Sequence, residues 1–352
     1  MRPIRSRRAS LLLAATLALA TPLAHAEQAL RYAGVNLAGA EFQSSKKPGT
    51  LYKDYTYPTD ADFAYFAAQG MNLVRLPFLW ERLQPTLNGE FDRAQLDLLR
   101  KTVQTAGKHD ITLLLDVHNY GAYNGQTIGS AAVPVAGFTD LWRRLASEPA
   151  FANNDKVLFG LMNEPHDIGA NDWAAAAQAA IDAIRGTGAK NLILVPGTAW
   201  SGAHSWNNAS AGRGVSNGDA LAGLKDPANR LAFEAHQYLD RDSSGTKPEC
   251  GDDPQIGARR LEGFTRWLEA NNKVGFLGEF GASAECIPAL DAMLAHIQAH
   301  PQQWLGWSYW AAGAWWSPTY PFNVQPNRDG SAKPQLPTLR DYAGRITGKK
   351  AN

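Results

Sequence analysis

The chain has 352 residues, of which 45% are hydrophobic and 19% charged, and its formal net charge is +1. This is enough chain to bury a large core, and the length alone allows one or two domains. The near-neutral charge excludes the basic surface that nucleic acids or anionic membranes require.

The first 26 residues have the pattern of an export signal. Four arginines open the chain: Arg2, Arg5, Arg7 and Arg8. An apolar run over 11–20 follows, and Ala24-His25-Ala26 fits a small-x-small cleavage site. The run is shorter than the roughly 20 residues of a membrane anchor. We therefore expect a signal peptide over 1–26, by the Sec or the twin-arginine route, and a secreted mature chain over 27–352, extracellular or periplasmic.

Cleavage at this site removes four arginines and no acidic residue, which changes the formal net charge from +1 to −3. The mature chain has two cysteines, Cys250 and Cys286. An isolated pair in an exported protein predicts one disulfide. Metal ligation would need partners at short spacing, which the sequence lacks, so we expect no metal site at these cysteines.

Eight short apolar runs, rich in β-formers, recur along the chain. They cover 32–37, 72–76, 111–117, 157–161, 191–195, 231–235, 274–278 and 305–309. Runs without polar alternation are typical of strands covered on both faces. Helices are predicted between them over 60–69, 92–108, 171–185, 262–271 and 288–300.

The alternation of strand and helix predicts an α/β fold, a closed (β/α)8 TIM barrel in a single domain. The competing fold is an open, doubly wound sheet. That fold usually carries a glycine-rich phosphate turn after an early strand, and the sequence contains neither G-x-G-x-x-G nor a P-loop. We find no internal repeat and no linker to a second module.

Two glutamates follow buried strands at positions where a core would be apolar. The fourth strand leads into Asn163-Glu164-Pro165, and the seventh ends in Glu279. A lone glutamate at a strand end is usually solvated or ion-paired. Two of them would project from the same carboxyl-terminal rim of a barrel, where active sites of this fold lie. Glycosidic cleavage needs such a pair, with one acid protonating the leaving oxygen and one carboxylate facing the anomeric carbon.

Further polar and aromatic residues stand at the other strand ends. Arg75 lies inside the second strand, and a buried arginine is costly unless paired, so we expect a carboxylate partner. The remaining candidates are His118, Asn163, His236, Tyr238 and Trp310. Each alone is more often a packed core residue, but together they predict one polar rim.

Six tryptophans lie in or near predicted loops: Trp80, Trp200, Trp206, Trp310, Trp315 and Trp316. Flat aromatic rings suit the faces of pyranose sugars, although about half of such residues can belong to the core. With a near-neutral charge, the aromatic loops favour a neutral polysaccharide over an acidic one.

At this point the sequence resembles glycoside hydrolase family 5, and within it the endo-β-1,4-glucanases (cellulases). The matching segments are 34–41, 74–77, 116–120, 161–166, 236–238 and 278–281. They cover essentially the whole mature chain. Asn163-Glu164-Pro165 followed by Gly278-Glu279-Phe280-Gly281 is a specific combination, whereas each element alone is weak.

The resemblance implies retaining double displacement, with Glu164 as acid/base and Glu279 as nucleophile. Arg75 and Tyr238 would orient Glu279 and keep it ionised, and His236 would contact the acid/base side. His118 and Asn163 would bind sugar hydroxyls, with Asn163 on the 2-hydroxyl, and Trp310 would form a stacking floor. The resemblance also implies that the enzyme needs no cofactor and no metal and that the disulfide lies near Glu279. It implies a β-glucan substrate and an open cleft with endo action. We expect a monomer with no nucleic-acid partner and no membrane association after cleavage.

Two other functions stay open from the sequence. The same chemistry could act on mannan, mixed-linkage β-glucan, xyloglucan or xylan, since only cleft residues would differ. A non-catalytic carbohydrate-binding barrel is the rival of a different class, but such proteins usually lose a catalytic carboxylate. A metal-dependent hydrolase would want His-x-His after the first strand, which instead offers Asn36.

Overall fold

The computed structural model describes residues 30–251 and 253–349, so the predicted signal peptide lies outside the described residues. Eight parallel strands close into a barrel in chain order. They are β1 (Tyr32–Leu37), β2 (Leu73–Phe78), β3 (Thr112–Val117), β4 (Val157–Gly160), β5 (Ile193–Pro196), β6 (Leu231–His236), β7 (Gly275–Glu279) and β8 (Trp304–Ala312). The barrel closes where β1 pairs with both β2 and β8. This confirms the predicted fold.

Helices surround the barrel. They are α1 (Asp60–Ala68), α2 (Trp80–Leu83), α3 (Arg93–Lys108), α4 (Val135–Ser147), α5 (Ala170–Gly186), α6 (Asn217–Leu221), α7 (Ile256–Ala270), α8 (Ile287–Ala299) and α9 (Leu336–Thr347). All five predicted helices are present, although α7 begins before the predicted residue 262. The prediction missed α2, α4, α6 and α9.

The barrel interior is built in layers, because residues two apart on a strand face the same side. A floor of apolar side chains fills one layer: Leu73, Leu114, Leu158, Leu194, Ala232, Phe276 and Leu305. Two residues further along their strands, Arg75, Asp116 and Glu234 form a charged layer above this floor, and all three are buried. The fold thus places its charged groups toward the carboxyl-terminal rim.

Cys250 and Cys286 form a disulfide, as expected, with their Cα atoms 5.7 Å apart. It joins the segment after β6 to the short 3₁₀ turn Ala284–Cys286 that follows β7. Within residues 30–251 and 253–349, no helix has the length and apolar character needed to cross a bilayer.

Candidate active site

Arg75 is fully buried and contacts three carboxylates. Its Nη1 donates to Glu279 Oε1 at 2.8 Å and lies 3.2 Å from Asp116 Oδ2, while Nε lies 3.0 Å from Glu234 Oε1. Burial lowers the pKa of Arg75, but the three carboxylates raise it further, so the net direction is upward. The predicted carboxylate partner is therefore present three times over. Nη2 donates to Asn163 Oδ1 at 2.8 Å.

Glu279 is buried, and both of its carboxylate oxygens accept hydrogen bonds. Oε1 accepts from Arg75, and Oε2 accepts from the Tyr238 hydroxyl at 2.9 Å. Burial raises the pKa of the Glu279 carboxyl, and the charges of His236 and Arg75 oppose that rise. Burial is the largest of these effects, so the net direction is upward, whereas the pairing with Arg75 alone would lower the pKa.

His236 lies between the two glutamates. Its Nδ1 is 2.8 Å from Glu164 Oε1 and 3.6 Å from Glu279 Oε2, and its Nε2 is 3.2 Å from Glu234 Oε1. Burial lowers the pKa of His236, but the surrounding carboxylates outweigh burial and raise the pKa to about 10. The raised pKa favours the imidazolium form of the ring, in which both nitrogens donate.

Glu164 follows β4 and is partly exposed, unlike Glu279. Its φ is +40°, in the left-handed region that non-glycine residues rarely adopt and that is enriched at functional sites. One carboxylate oxygen of Glu164, one ring nitrogen of His236 and one carboxylate oxygen of Glu279 lie within 4.8 Å of one another. This spacing could hold a metal ion, and it places the two carboxylates next to each other with the imidazole of His236 beside both.

His118 is fixed in orientation on three sides. Its Nδ1 lies 2.7 Å from Asp116 Oδ2, and the Tyr120 hydroxyl lies 3.3 Å from Nε2. Its ring stacks on Trp310 with centroids 5.6 Å apart and planes 13° apart. Burial lowers the pKa of His118, but the nearby carboxylates, Asp116 first, outweigh it and leave the pKa above its ordinary value.

Two groups of aromatic side chains lie near these residues. Trp310 and Trp316 meet edge to face with centroids 6.1 Å apart. On the Glu164 side, the Trp200 ring is 56% exposed and stacks on His166 with centroids 5.1 Å apart. Tyr120 lies next to the same histidine, with centroids 5.8 Å apart.

Not all predicted loop tryptophans belong to this surface. Trp80 and Trp206 are fully buried and belong to the core, as expected for some of these tryptophans. Trp80 packs edge-on against Tyr123, and Trp206 against Phe264. Trp315 is 38% exposed.

A strained turn holds Trp200. Ala199, Trp200 and Ser201 have φ values of +54°, +56° and +55°, three consecutive residues in the left-handed region. Ser201 Oγ donates to the Glu234 carbonyl at 2.6 Å, and Trp200 N donates to the Pro165 carbonyl at 3.2 Å. The turn is thereby attached to the backbone that carries the site.

Four buried polar residues of the site were missed as candidates: Asn36, Glu41, Asp116 and Glu234. Asn36 accepts from Arg75 Nη1 at 2.9 Å. Glu41 accepts from Gly39 N at 2.8 Å, and burial raises its pKa to about 7. The available signal for Asp116 and Glu234 was a charged residue within an otherwise apolar strand, the same signal that identified Arg75.

Two recesses border the barrel ends. One of about 500 Å³ opens beside His118 and His166 and reaches Lys47 and Glu81. The other, of about 800 Å³, lies where the strands begin, around Arg31 and neighbouring residues, and none of the candidate site residues lines it.

The chain matches the family model "Cellulase (glycosyl hydrolase family 5)" over residues 34–313. It is 36% identical over 332 residues to endo-beta-1,4-glucanase B of Emericella nidulans, covering 94% of this chain and 96% of that one. Its structure resembles an endo-beta-1,4-glucanase from Xanthomonas axonopodis pv. citri with a TM-score of 0.88 and 56% identity, over 90% of this chain and 100% of that one.

The fold also matches XacCel5A in complex with cellopentaose, with a TM-score of 0.87 and 58% identity, over 89% of this chain and 99% of that one. The family match spans most of the chain, including both strand-end glutamates. The relatives are matched over nearly their whole length. The chain therefore belongs to the cellulases of glycosyl hydrolase family 5 and is an O-glycoside hydrolase.

Proposed function

We propose that this protein is an endo-β-1,4-glucanase that hydrolyses cellulose and related β-glucans with retention, using Glu164 and Glu279. The observation that supports it best is the separation of the two carboxylates, whose nearer oxygens lie within 4.8 Å of each other. Retaining enzymes place the pair about 5–5.5 Å apart, and inverting enzymes about 6.5–9.5 Å apart. The surroundings of the two groups then assign their roles.

Glu279 is the nucleophile, because both of its oxygens are oriented by donors, Arg75 and Tyr238. A Glu279 oxygen attacks the anomeric carbon and the glycosidic bond breaks. Glu164 gives its proton to the leaving oxygen. Glu164 then takes a proton from water, which attacks the anomeric carbon and releases Glu279.

The neighbouring residues support these two steps. The imidazolium of His236 donates to Glu164 and lies close to Glu279, so it links the two groups as a proton moves. The carbonyl oxygen of Asn163 is held by Arg75, which directs its amide nitrogen away from that contact toward the 2-hydroxyl of the sugar. His118 binds a second hydroxyl, and Trp310, stacked on it, forms the floor beneath the ring.

The aromatic residues near the carboxylates favour a long neutral chain lying across the site. Trp310 stacks on His118 and contacts Trp316, and Trp200 stacks on His166, so several rings are available to bind consecutive sugars. Such a cleft suits internal cleavage. A β-glucan is the substrate that the related endo-beta-1,4-glucanases and the cellopentaose complex favour.

Product analysis tests the substrate. The mature chain is incubated in parallel with cellohexaose and mannohexaose. Internal cleavage of cellohexaose with mannohexaose intact supports the proposal, whereas cleavage of mannohexaose alone moves the assignment to mannan. Release of only dimers from one chain end would overturn endo action.

The roles are tested by Glu279→Gln, which keeps the size of the side chain and removes its charge. We expect sugar binding to persist and turnover to fall by several orders of magnitude. Near-normal turnover would remove Glu279 from the nucleophile role.

We further propose that the chain is exported, that residues 27–352 form one catalytic domain, and that it works as a monomer without a cofactor. Sequencing the amino terminus of the exported protein tests the cleavage before Glu27. Light scattering tests the oligomeric state.

A further inference from the structure

We propose that Asp240 is a positioning residue for the nucleophile: it folds the segment after β6 so that Gly245 lies against the Tyr238 ring and holds its hydroxyl on Glu279. The proposal rests on the nucleophile role proposed for Glu279. We call residues 240–250 the Asp240 loop.

Asp240 is 2% exposed and is the centre around which this loop folds. Its Oδ1 accepts from Gly245 N at 3.0 Å, and its Oδ2 accepts from Ser244 Oγ at 2.8 Å. The backbone nitrogens of Thr246 and Lys247 each lie 3.3 Å from Oδ2. One buried carboxylate therefore binds four consecutive residues of the loop.

Gly245 is the point at which the loop contacts the site. Its φ is +69°, and a Cβ placed there would lie 2.7–2.8 Å from three atoms of the Tyr238 ring. Real Cβ atoms do not approach so closely, so only a glycine fits against the ring at this position. The Tyr238 ring also stacks on Phe322 with centroids 6.0 Å apart and planes 21° apart. The ring is thus in contact with both Gly245 and Phe322.

Two further contacts fix the loop to the barrel. Arg260 of α7 donates from Nη1 to the Tyr238 carbonyl at 2.6 Å and to the Asp240 carbonyl at 2.8 Å. The disulfide from Cys250 to Cys286 closes the far end of the loop. The support behind Tyr238 is therefore continuous from Asp240 to the turn after β7.

The consequence for chemistry follows from the 2.9 Å hydrogen bond between the Tyr238 hydroxyl and Glu279 Oε2. A hydrogen bond to the charged form of a carboxyl lowers its pKa. If the ring is free to move, this bond weakens, the pKa of Glu279 rises and its oxygen is aimed less well. Asp240 does not touch the substrate in this scheme and acts through Gly245 and Tyr238.

The test compares Asp240→Ala with Tyr238→Phe and with the double variant, in kcat, KM and the pH profile of kcat/KM on cellohexaose. We expect Tyr238→Phe to lower kcat about tenfold to a hundredfold, as the loss of a charged hydrogen bond would. Asp240→Ala should lower kcat about threefold to tenfold with KM unchanged, and the acidic limb of its kcat/KM profile should shift to higher pH by about half a pH unit or more. In the Tyr238→Phe background, Asp240→Ala should cause almost no further change in kcat or in the acidic limb.

Matched variants separate positioning from general destabilisation. Asp242→Asn is the control, since Asp242 is an exposed residue of the same loop that pairs with Lys247 at 2.8 Å, and it should leave kcat and the acidic limb unchanged. Gly245→Ala places a methyl group on the ring and should reproduce the shift of the acidic limb. If Asp240→Ala does not fold, Gly245→Ala and Asp240→Asn carry the comparison.

An acidic limb that stays in place in Asp240→Ala or in Gly245→Ala, or losses that add in the double variant, would overturn the proposal. Failure of the proposed function looks different. In that case Tyr238→Phe and Glu279→Gln would themselves leave kcat and the acidic limb near those of the parent enzyme.

Discussion

The raised pKa of His236 predicts how the stability of the folded protein changes at alkaline pH. The pKa of His236 is raised from 6.5 to about 10 in the folded protein by the carboxylates around it. A group whose folded pKa is raised contributes stability that is complete below 6.5 and is lost as the pH rises toward 10. The difference of about 3.5 pH units corresponds to up to about 5 kcal/mol at about 1.4 kcal/mol per unit.

The assay is urea unfolding of the parent protein and His236→Gln at pH 7, 8 and 9. The glutamine is uncharged, so the variant should lack this contribution at every pH. We expect the free energy of unfolding of the parent to fall relative to the variant by about 1 kcal/mol or more per pH unit. Parallel curves for the two proteins would refute a protonated His236.

His296→Gln is the matched control. Burial and the neighbouring His300 lower the pKa of His296 to about 4, so this ring is neutral in the folded protein over the whole range tested. The unfolded ring is also mostly neutral above pH 7. The control should therefore run parallel to the parent between pH 7 and 9.

Four further predictions follow from the site and its supports. Gly278→Ala puts a methyl group against the Glu234 carboxylate, so we expect kcat on cellohexaose to fall at least about tenfold, and an unchanged kcat would contradict the packing argument. Trp200→Ala removes an exposed ring worth about 0.5–1.5 kcal/mol in stacking, so KM for cellohexaose should rise about twofold to tenfold, and an unchanged KM would place Trp200 outside the cleft. Cys286→Ser removes the disulfide that closes a loop of 36 residues, so the free energy of unfolding measured in urea should fall by up to about 4 kcal/mol. Equal stability of the variant and the oxidised parent would contradict this expectation. Dialysis against EDTA should leave activity intact, because His236 and Glu164 already satisfy each other, and activity that is lost and then restored by a divalent cation would show a metal requirement.

The barrel could be predicted because strands covered on both faces must be apolar throughout, and such runs are visible in a single sequence. The helices were predicted less completely than the strands. Helix α4 places Phe138, Leu141, Trp142 and Leu145 at helical spacing and buries all four, so its signal was present and overlooked. Helix α6, with only Asn217–Leu221, is too short to show a period.

The positions of the candidate residues could be predicted where a strand ends in an unusual residue, but their partners could not. Asp116 and Glu234 meet Arg75 because of strand register, which brings distant segments to one level of the barrel. The burial of individual tryptophans could not be predicted from the sequence either. Trp80 and Trp200 each closely follow a strand, yet Trp80 is fully buried and Trp200 is 56% exposed. The difference depends on Trp80 beginning α2 and Trp200 lying in a left-handed turn.

The three carboxylates around Arg75 have different parts in the proposed reaction. In the proposed covalent intermediate Glu279 is an ester and no longer carries a charge. A buried arginine paired with Glu279 alone would then lose its partner, and breaking a buried ion pair costs about 3–5 kcal/mol. Asp116 and Glu234 lie 3.2 Å and 3.0 Å from the guanidinium and keep it paired at that stage. The nucleophile can therefore change its charge during the reaction because the arginine that orients it does not depend on that charge.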